Sequence, residues 1–152
     1  MKVKIENIGK LKDLIGCEVV VSDWVEVSQS RINRFAEATG DNQWIHVDAE
    51  RAKTESPFGQ TIAHGFLTVS LLSELGESAM EVGDVRMAVN YGLNRVRFIA
   101  PVLSDTKIRG RFTLSEIKEF SGGIKATWNV TIESENGEKP CCIAEWLVRY
   151  YI

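Results

Sequence analysis

The sequence predicts an α+β fold in which one antiparallel sheet of about five strands curls around a single buried helix. Two observations carry that expectation. The first is alternation. Ile108, Gly110, Phe112 and Leu114 face one way, and Lys107, Arg109, Arg111 and Thr113 the other. Ile124, Ala126, Trp128, Val130 and Ile132 oppose Lys125, Thr127, Asn129, Thr131 and Glu133. Cys142, Ala144, Trp146, Val148 and Tyr150 oppose Cys141, Ile143, Glu145, Leu147 and Arg149. Period-2 alternation with one polar face describes antiparallel strands packed on one side and wet on the other. The second is the stretch from Ile62 to Met80, where Phe66, Leu67, Val69, Leu71, Leu72 and Leu75 point around most of a helix instead of along one stripe. A helix apolar nearly all round is a buried one. A sheet with one apolar face and a helix with no wet side bury each other when the sheet wraps the helix.

Taken in order, Ile5 to Ile15 has weak helical spacing and predicts a short helix lying on the body, stopped by Gly16. Cys17 to Val27, rich in Val and Trp, predicts a first strand. Ser28 is a good N-cap for a helix over Gln29–Ala38, with Ile32, Phe35 and Ala36 on one face and Gly40 as its stop. A short helix Ala49–Lys53 follows, with Asp48 as cap, and Pro57 and Gly59 mark a loop before the buried helix. Met87 to Ala100 predicts a long strand ended by Pro101. Ser121-Gly122-Gly123 and Glu135-Asn136-Gly137-Glu138 are the turns between the later strands.

A chain of 152 residues suits one domain spanning 1–152 with a sizeable core. Apolar residues at 44% and charged residues at 26% describe a folded globular chain. A formal charge of −3 lacks the concentrated basic surface that nucleic acid needs, so no nucleic-acid partner is expected. Cys17, Cys141 and Cys142 form no CxxC pair, and adjacent Cys141 and Cys142 on a strand would project to opposite faces. They read as reduced structural thiols of a cytoplasmic protein, with no metal expected. The first residues lack an apolar signal-peptide core, and no apolar run approaches the ~20 residues that span a bilayer, so no membrane partner is expected.

The chemistry-bearing residues cluster between Thr39 and Ser73, a stretch that holds both histidines, His46 and His64. Gly40-Asp41-Asn42-Gln43-Trp44-Ile45-His46, followed by Pro57-Phe58-Gly59-Gln60-Thr61 and Ile62-Ala63-His64-Gly65, resembles the MaoC-like dehydratases. These include the (R)-specific enoyl-CoA hydratases, which have the hotdog fold. The wording is that of the nodulation-protein-N-like branch, and the resemblance extends to Tyr91-Gly92-Leu93-Asn94-Arg95-Val96-Arg97-Phe98. It implies a reversible syn addition of water to a trans-2-enoyl thioester of coenzyme A, giving the (R)-3-hydroxyacyl thioester, with no cofactor beyond the thioester substrate. It also implies Asp41 and His46 as the catalytic pair, Gly65 as the backbone donor to the thioester carbonyl, Ser73 as a serine near the acid, and a homodimer joined sheet edge to sheet edge. One departure bears on acyl chain length. Where the better-known hydratases carry Asn-Pro two and three residues after the acid, this chain has Gln43 and Trp44.

The residue types suit that reaction. A water must be held and deprotonated as it attacks the β-carbon, and a proton must reach the α-carbon; an Asp and a His within reach of one water can do both. The developing enolate oxygen needs preorganised donors, which a helix N-terminus supplies. Gly65, without a Cβ, lets a thioester approach the backbone. Asp41 read alone would be a turn residue, His46 an ordinary half-buried histidine, and Trp44 a packing residue. His64 reads as orienting the turn before the helix. Ser73 could bond back to its own helix. Asn94 shares a strand face with Val96 and Phe98 and so needs a buried partner, backbone or active-site; with Gly65 and Ser73 it completes the candidate oxyanion and substrate-binding set. Arg95, Arg97, Arg109 and Arg111 read as a solvated face. The alternative functions are thioester hydrolysis and a non-catalytic subunit that binds acyl thioesters or only assembles with a partner.

Overall fold

The computed structural model describes residues 1–152. Strand β1 (Val3–Ile5) and helix α1 (Ile8–Lys12) lead into β2 (Glu18–Val21) and β3 (Val25–Val27). Three helices follow, α2 (Gln29–Thr39), α3 (Trp44–Val47) and α4 (Ala49–Glu55). The central helix comes in two consecutive pieces, α5 (Gly65–Ser70) and α6 (Leu72–Ala79), and ends in β4 (Met80–Val82). Four long strands complete the chain: β5 (Met87–Phe98), β6 (Thr106–Phe120), β7 (Gly123–Ser134) and β8 (Cys142–Tyr151).

The main sheet is antiparallel with order β2-β6-β7-β8-β5, and β3 continues the β2 edge along β6. That makes six strands where about five were expected. The expected single strand over Cys17–Val27 is broken at Ser22. There the Ser22 N–H donates to the Gly110 carbonyl at 2.8 Å and the Gly110 N–H turns to the Ser22 hydroxyl at 2.9 Å. The side-chain oxygen replaces a backbone acceptor, so the ladder continues while the strand bends. A two-stranded parallel pair, β1 with β4, was not expected; it ties the chain start to the end of the central helix through Val3↔Met80 and Ile5↔Val82.

The inward residues of β6, β7 and β8 are those the alternation selected. Ile108, Phe112, Leu114, Trp128, Val130, Ile132 and Cys142 are fully buried. They close over Leu67, Leu71, Leu72, Leu75 and Ala79 of the central helix in one core cluster. Caps fall where the sequence placed them. Ser28 accepts from the Arg31 N–H at 3.1 Å, Asp48 accepts from the Arg51 N–H at 3.0 Å, and Gly40 ends α2 in the left-handed conformation that glycine adopts without strain.

Two further expectations need correction. The central helix is not apolar-buried all round: Phe66 is 72% exposed, Ser70 is exposed, and Glu74 is exposed and paired with Arg31 of α2 at 2.8 Å. Asn94 is also exposed. The β5–β8 register shifts between Asn90 and Gly92 and again between Leu93 and Arg95, and these bulges break the period-2 count. Asn94 therefore has no need of a buried partner and lines none of the cavities described below.

Candidate active site

Asp41 and His46 are brought together by the short α3 helix. Gly40 turns the chain out of α2, and the single turn Trp44–Val47 carries His46 back beneath Asp41. One donor atom each from Asp41, His46 and His64 lies within 4.8 Å of the others. His46 and His64 are buried, while Asp41 is exposed. The backbone fixes each ring. His46 Nδ1 lies 2.7 Å from the Ile62 carbonyl, which can only accept, so Nδ1 carries the proton and Nε2 presents a lone pair. His64 Nε2 lies 2.9 Å from the Asp41 carbonyl and by the same logic donates to it. The expectation placed His64 in the turn before the buried helix; its bond instead reaches across to the turn that carries Asp41. The remaining His64 nitrogen, Nδ1, is buried without a partner.

The two imidazoles stack at a centroid separation of 3.9 Å with planes 25° apart, and Phe35 closes the other face of His64 at 4.9 Å. Burial pushes the His46 pKa down, partly opposed by its bond to Ile62; the neighbouring His64 lowers it further and Asp41 raises it. His46 is thus held neutral, as an acceptor, near pH 7. An imidazole binds a metal in its own plane, and near-parallel stacked rings do not converge on a point about 2.0–2.1 Å from both nitrogens. The cluster places a carboxylate beside the lone pair of a neutral imidazole.

His46 opens into a cavity of about 270 Å³ lined also by Phe58, Ala63, Gly65, Thr68, Phe98 and Cys141. Gly65 is the first residue of α5, so its N–H has no intrahelical acceptor and points out of the helix end. A Cβ built there would fall 2.8 Å from the Phe98 ring, so a side chain would contest the space between the helix start and β5. Sequence reasoning passed over Thr68. It is buried, three residues beyond Gly65 on the same helix face, and that spacing was its only signal. Cys141 Sγ lies 3.2 Å from the Ile132 carbonyl, and burial pushes its thiol up to about 12, so it is no nucleophile.

Ser73 is not beside Asp41. Eight residues past Gly65, about 12 Å along the helix, it lines two neighbouring cavities together with Asn90 and Trp146, one of them of about 310 Å³. Asn90 Nδ2 donates to the Ser73 hydroxyl at 3.2 Å, and Trp146 Nε1 donates to Asn90 Oδ1 at 3.0 Å. The widest cavity, about 760 Å³, lies on the outer sheet face beside Arg95 and Arg97. Arg109 and Arg111 are paired with Glu133 and Glu18. Trp44 carries the Arg51 guanidinium over its ring at 4.3 Å, a packing role. Of these cavities, only the one at His46 joins a histidine to a free helix N–H.

The solved (R)-hydratase from A. caviae involved in PHA biosynthesis matches with a TM-score of 0.70 at 20% identity, covering 88% of this chain and 94% of that one. The fold is therefore the hotdog fold of the MaoC-like dehydratases and (R)-hydratases. A family profile, MaoC like domain, matches residues 10–136. The chain is 47% identical over 146 residues to 3-hydroxyacyl-thioester dehydratase Z of Mycobacterium tuberculosis, covering 95% of this chain and 96% of that protein. It is 50% identical over 144 residues to Nodulation protein N of Rhizobium leguminosarum bv. viciae, covering 93% and 89%. The chain belongs to the MaoC-like dehydratase family.

Proposed function

We propose that this protein is an enoyl-CoA hydratase/3-hydroxyacyl-CoA dehydratase: it adds water reversibly to trans-2-enoyl-CoA, giving (R)-3-hydroxyacyl-CoA, and needs no metal or redox cofactor. The observation that carries this reading is the approach of Asp41 to His46, which lines one cavity together with Gly65. A water held between the Asp41 carboxylate and His46 Nε2 gives up a proton to this pair as its oxygen bonds the β-carbon. The alkene electrons move to the thioester oxygen, which the Gly65 N–H stabilises as it becomes an enolate. The α-carbon then takes a proton from the same pair, the enolate collapses, and no net charge is left. The pair acts jointly on one water and on one face of the alkene, as syn addition requires. The name of the mycobacterial relative describes the reverse, dehydrating direction.

Assembly belongs to the same reading. β5 pairs only with β8, leaving its other edge unpaired, and Met87, Val89, Tyr91, Leu93 and Phe98 on it are exposed. An open apolar edge strand of this length is a pairing surface. Two copies of the chain joined along it form the expected homodimer. The three unpaired thiols suit a reducing compartment such as the cytoplasm, and no helix is long and apolar enough to cross a membrane.

Incubation with crotonyl-CoA tests the function. Hydration removes the enoyl absorbance without releasing thiol. Thiol release would establish hydrolysis instead, and binding without either change would make the protein a non-catalytic acyl-thioester carrier.

A further inference from the structure

The ring of His46 is fixed by Ile62, but its backbone is fixed by something the reaction does not use. Gln29, the first residue of α2, donates from Nε2 to the His46 carbonyl at 2.8 Å and to Asn33 Oδ1 at 2.8 Å. Both amide hydrogens are thereby used. Gln29 Oε1 faces the Thr61 hydroxyl in a very short contact. Since the His46 carbonyl can only accept, the amide cannot be turned over, and Thr61 must donate its one hydrogen to Gln29. The Ser104 hydroxyl, 2.9 Å from Thr61 Oγ1, then donates to Thr61. Thr61 immediately precedes Ile62, whose carbonyl holds His46 Nδ1 and whose N–H donates to the Ile45 carbonyl at 3.0 Å.

The bonds close a circuit: Thr61 to Gln29, Gln29 to the His46 carbonyl, His46 Nδ1 to the Ile62 carbonyl, and one peptide back to Thr61. Thr61 is buried at 2% exposure and Gln29 is half-buried, so water competes poorly for these bonds. The far side of the circuit is anchored too. Asp105 Oδ1 accepts from the Gln29 N–H at 2.9 Å, and the Thr61 carbonyl accepts from the Ser104 N–H at 3.0 Å. Three segments distant in sequence therefore converge on one histidine.

We infer that Gln29 and Thr61 are positioning residues that clamp the His46 backbone, hold the Ile62 carbonyl on Nδ1 and so keep the Nε2 lone pair aimed at the cavity. The inference rests on the reading of His46 as a proton-handling group. Loss of the clamp loosens the register between the His46 turn and the Thr61–Ile62 segment. The imidazole is then free to swing or to exchange tautomers, and a small misplacement of a reacting group costs up to about 100-fold in rate.

The test uses Gln29→Leu, the isosteric Thr61→Val, their double variant and Thr61→Ser. With crotonyl-CoA, Gln29→Leu and Thr61→Val lower kcat with KM within about twofold, and Thr61→Ser retains wild-type kcat. In the double variant the Thr61 change adds little to the Gln29 change, since both break one circuit. Independently of activity, ¹⁵N NMR of the imidazole reads the tautomer: Nδ1-protonated His46 in the wild type, a mixture or the other form in Gln29→Leu. Fully multiplicative losses, a change in KM alone, or an unaltered His46 tautomer in Gln29→Leu would overturn the clamp. Should the wild type not hydrate crotonyl-CoA, the proposed reaction falls while the tautomer still decides the clamp. Should Gln29→Leu fail to fold, Thr61→Val against Thr61→Ser decides it by the same two readouts.

Discussion

His46 and His64 lie face to face, their ring centroids 3.9 Å apart and their planes 25° apart, in a pocket that buries both. A second proton on His46 would meet little solvent and a neighbouring imidazole. Burial first, and the His64 neighbour in addition, hold the His46 pKa below its ordinary 6.5. Unfolding exposes His46 and restores its affinity for protons. Stability contributed by this site is thus fully present above pH 6.5 and is lost as the pH falls from 6.5 toward the folded pKa. Melting temperatures measured from pH 7.5 down to 5 should fall in that window. The acid limb of kcat/KM should lie below pH 6.5. His64→Phe, which keeps the stack without the second imidazole, should move the His46 titration upward by NMR; an unmoved titration would count against the coupling.

Asp41→Asn keeps the side-chain shape and removes the charge. His46→Ala removes the ring. Each should lower crotonyl-CoA hydration by about 10²–10⁴-fold, the usual yield of a positioned acid or base. Asp41 is exposed, so Asp41→Asn should leave the far-UV circular dichroism and melting temperature near wild type. Turnover close to wild type in either variant would remove the pair from the mechanism.

Gly65 separates stability from rate. A Cβ there meets only the outer atoms of the Phe98 ring, the far end of a side chain and not backbone. Gly65→Ala should therefore cost less than about 1 kcal/mol in denaturant unfolding. The methyl group sits where the thioester must approach the N–H, so kcat should fall about 10²–10³-fold, as for loss of an oxyanion donor. Full activity in Gly65→Ala would place the oxyanion donor elsewhere.

Leu93→Glu and Val89→Lys put charges on the exposed edge strand without touching the core. If two copies join along β5, sedimentation velocity should show wild-type dimer and variant monomer, with native circular dichroism in both. A wild-type protein that sediments as a monomer would discard the edge-to-edge pairing.

Much of the fold was legible because β6 up to Leu114, β7 and β8 carry long alternating runs. Phe112, Trp128 and Trp146 are found on the inward face where a simple count places them. The caps Ser28, Asp48 and Gly40 are local signals and were equally plain. The misreadings have one cause: partners that local pattern does not encode. Val3–Ile5 pairs with Met80–Val82 across half of the chain, and three residues carry no periodicity. Two bulges shift the face count in β5, which turned Asn94 outward. At the site, the motif led to Asp41, His46 and Gly65. Ser73, eight residues along the helix, was assigned by sequence position and lies with Asn90 and Trp146 instead. Gln29 and Thr61 were invisible because nothing in a linear reading joins the start of one helix to a loop 32 residues later.

The strand that carries Phe98 into the wall of the His46 cavity is the same strand whose far side lies open. Whatever neighbour stiffens that border also stiffens the lining around the reacting atoms. If two copies meet along that border, dilution slows each molecule, although no atom of Asp41 or His46 has been altered.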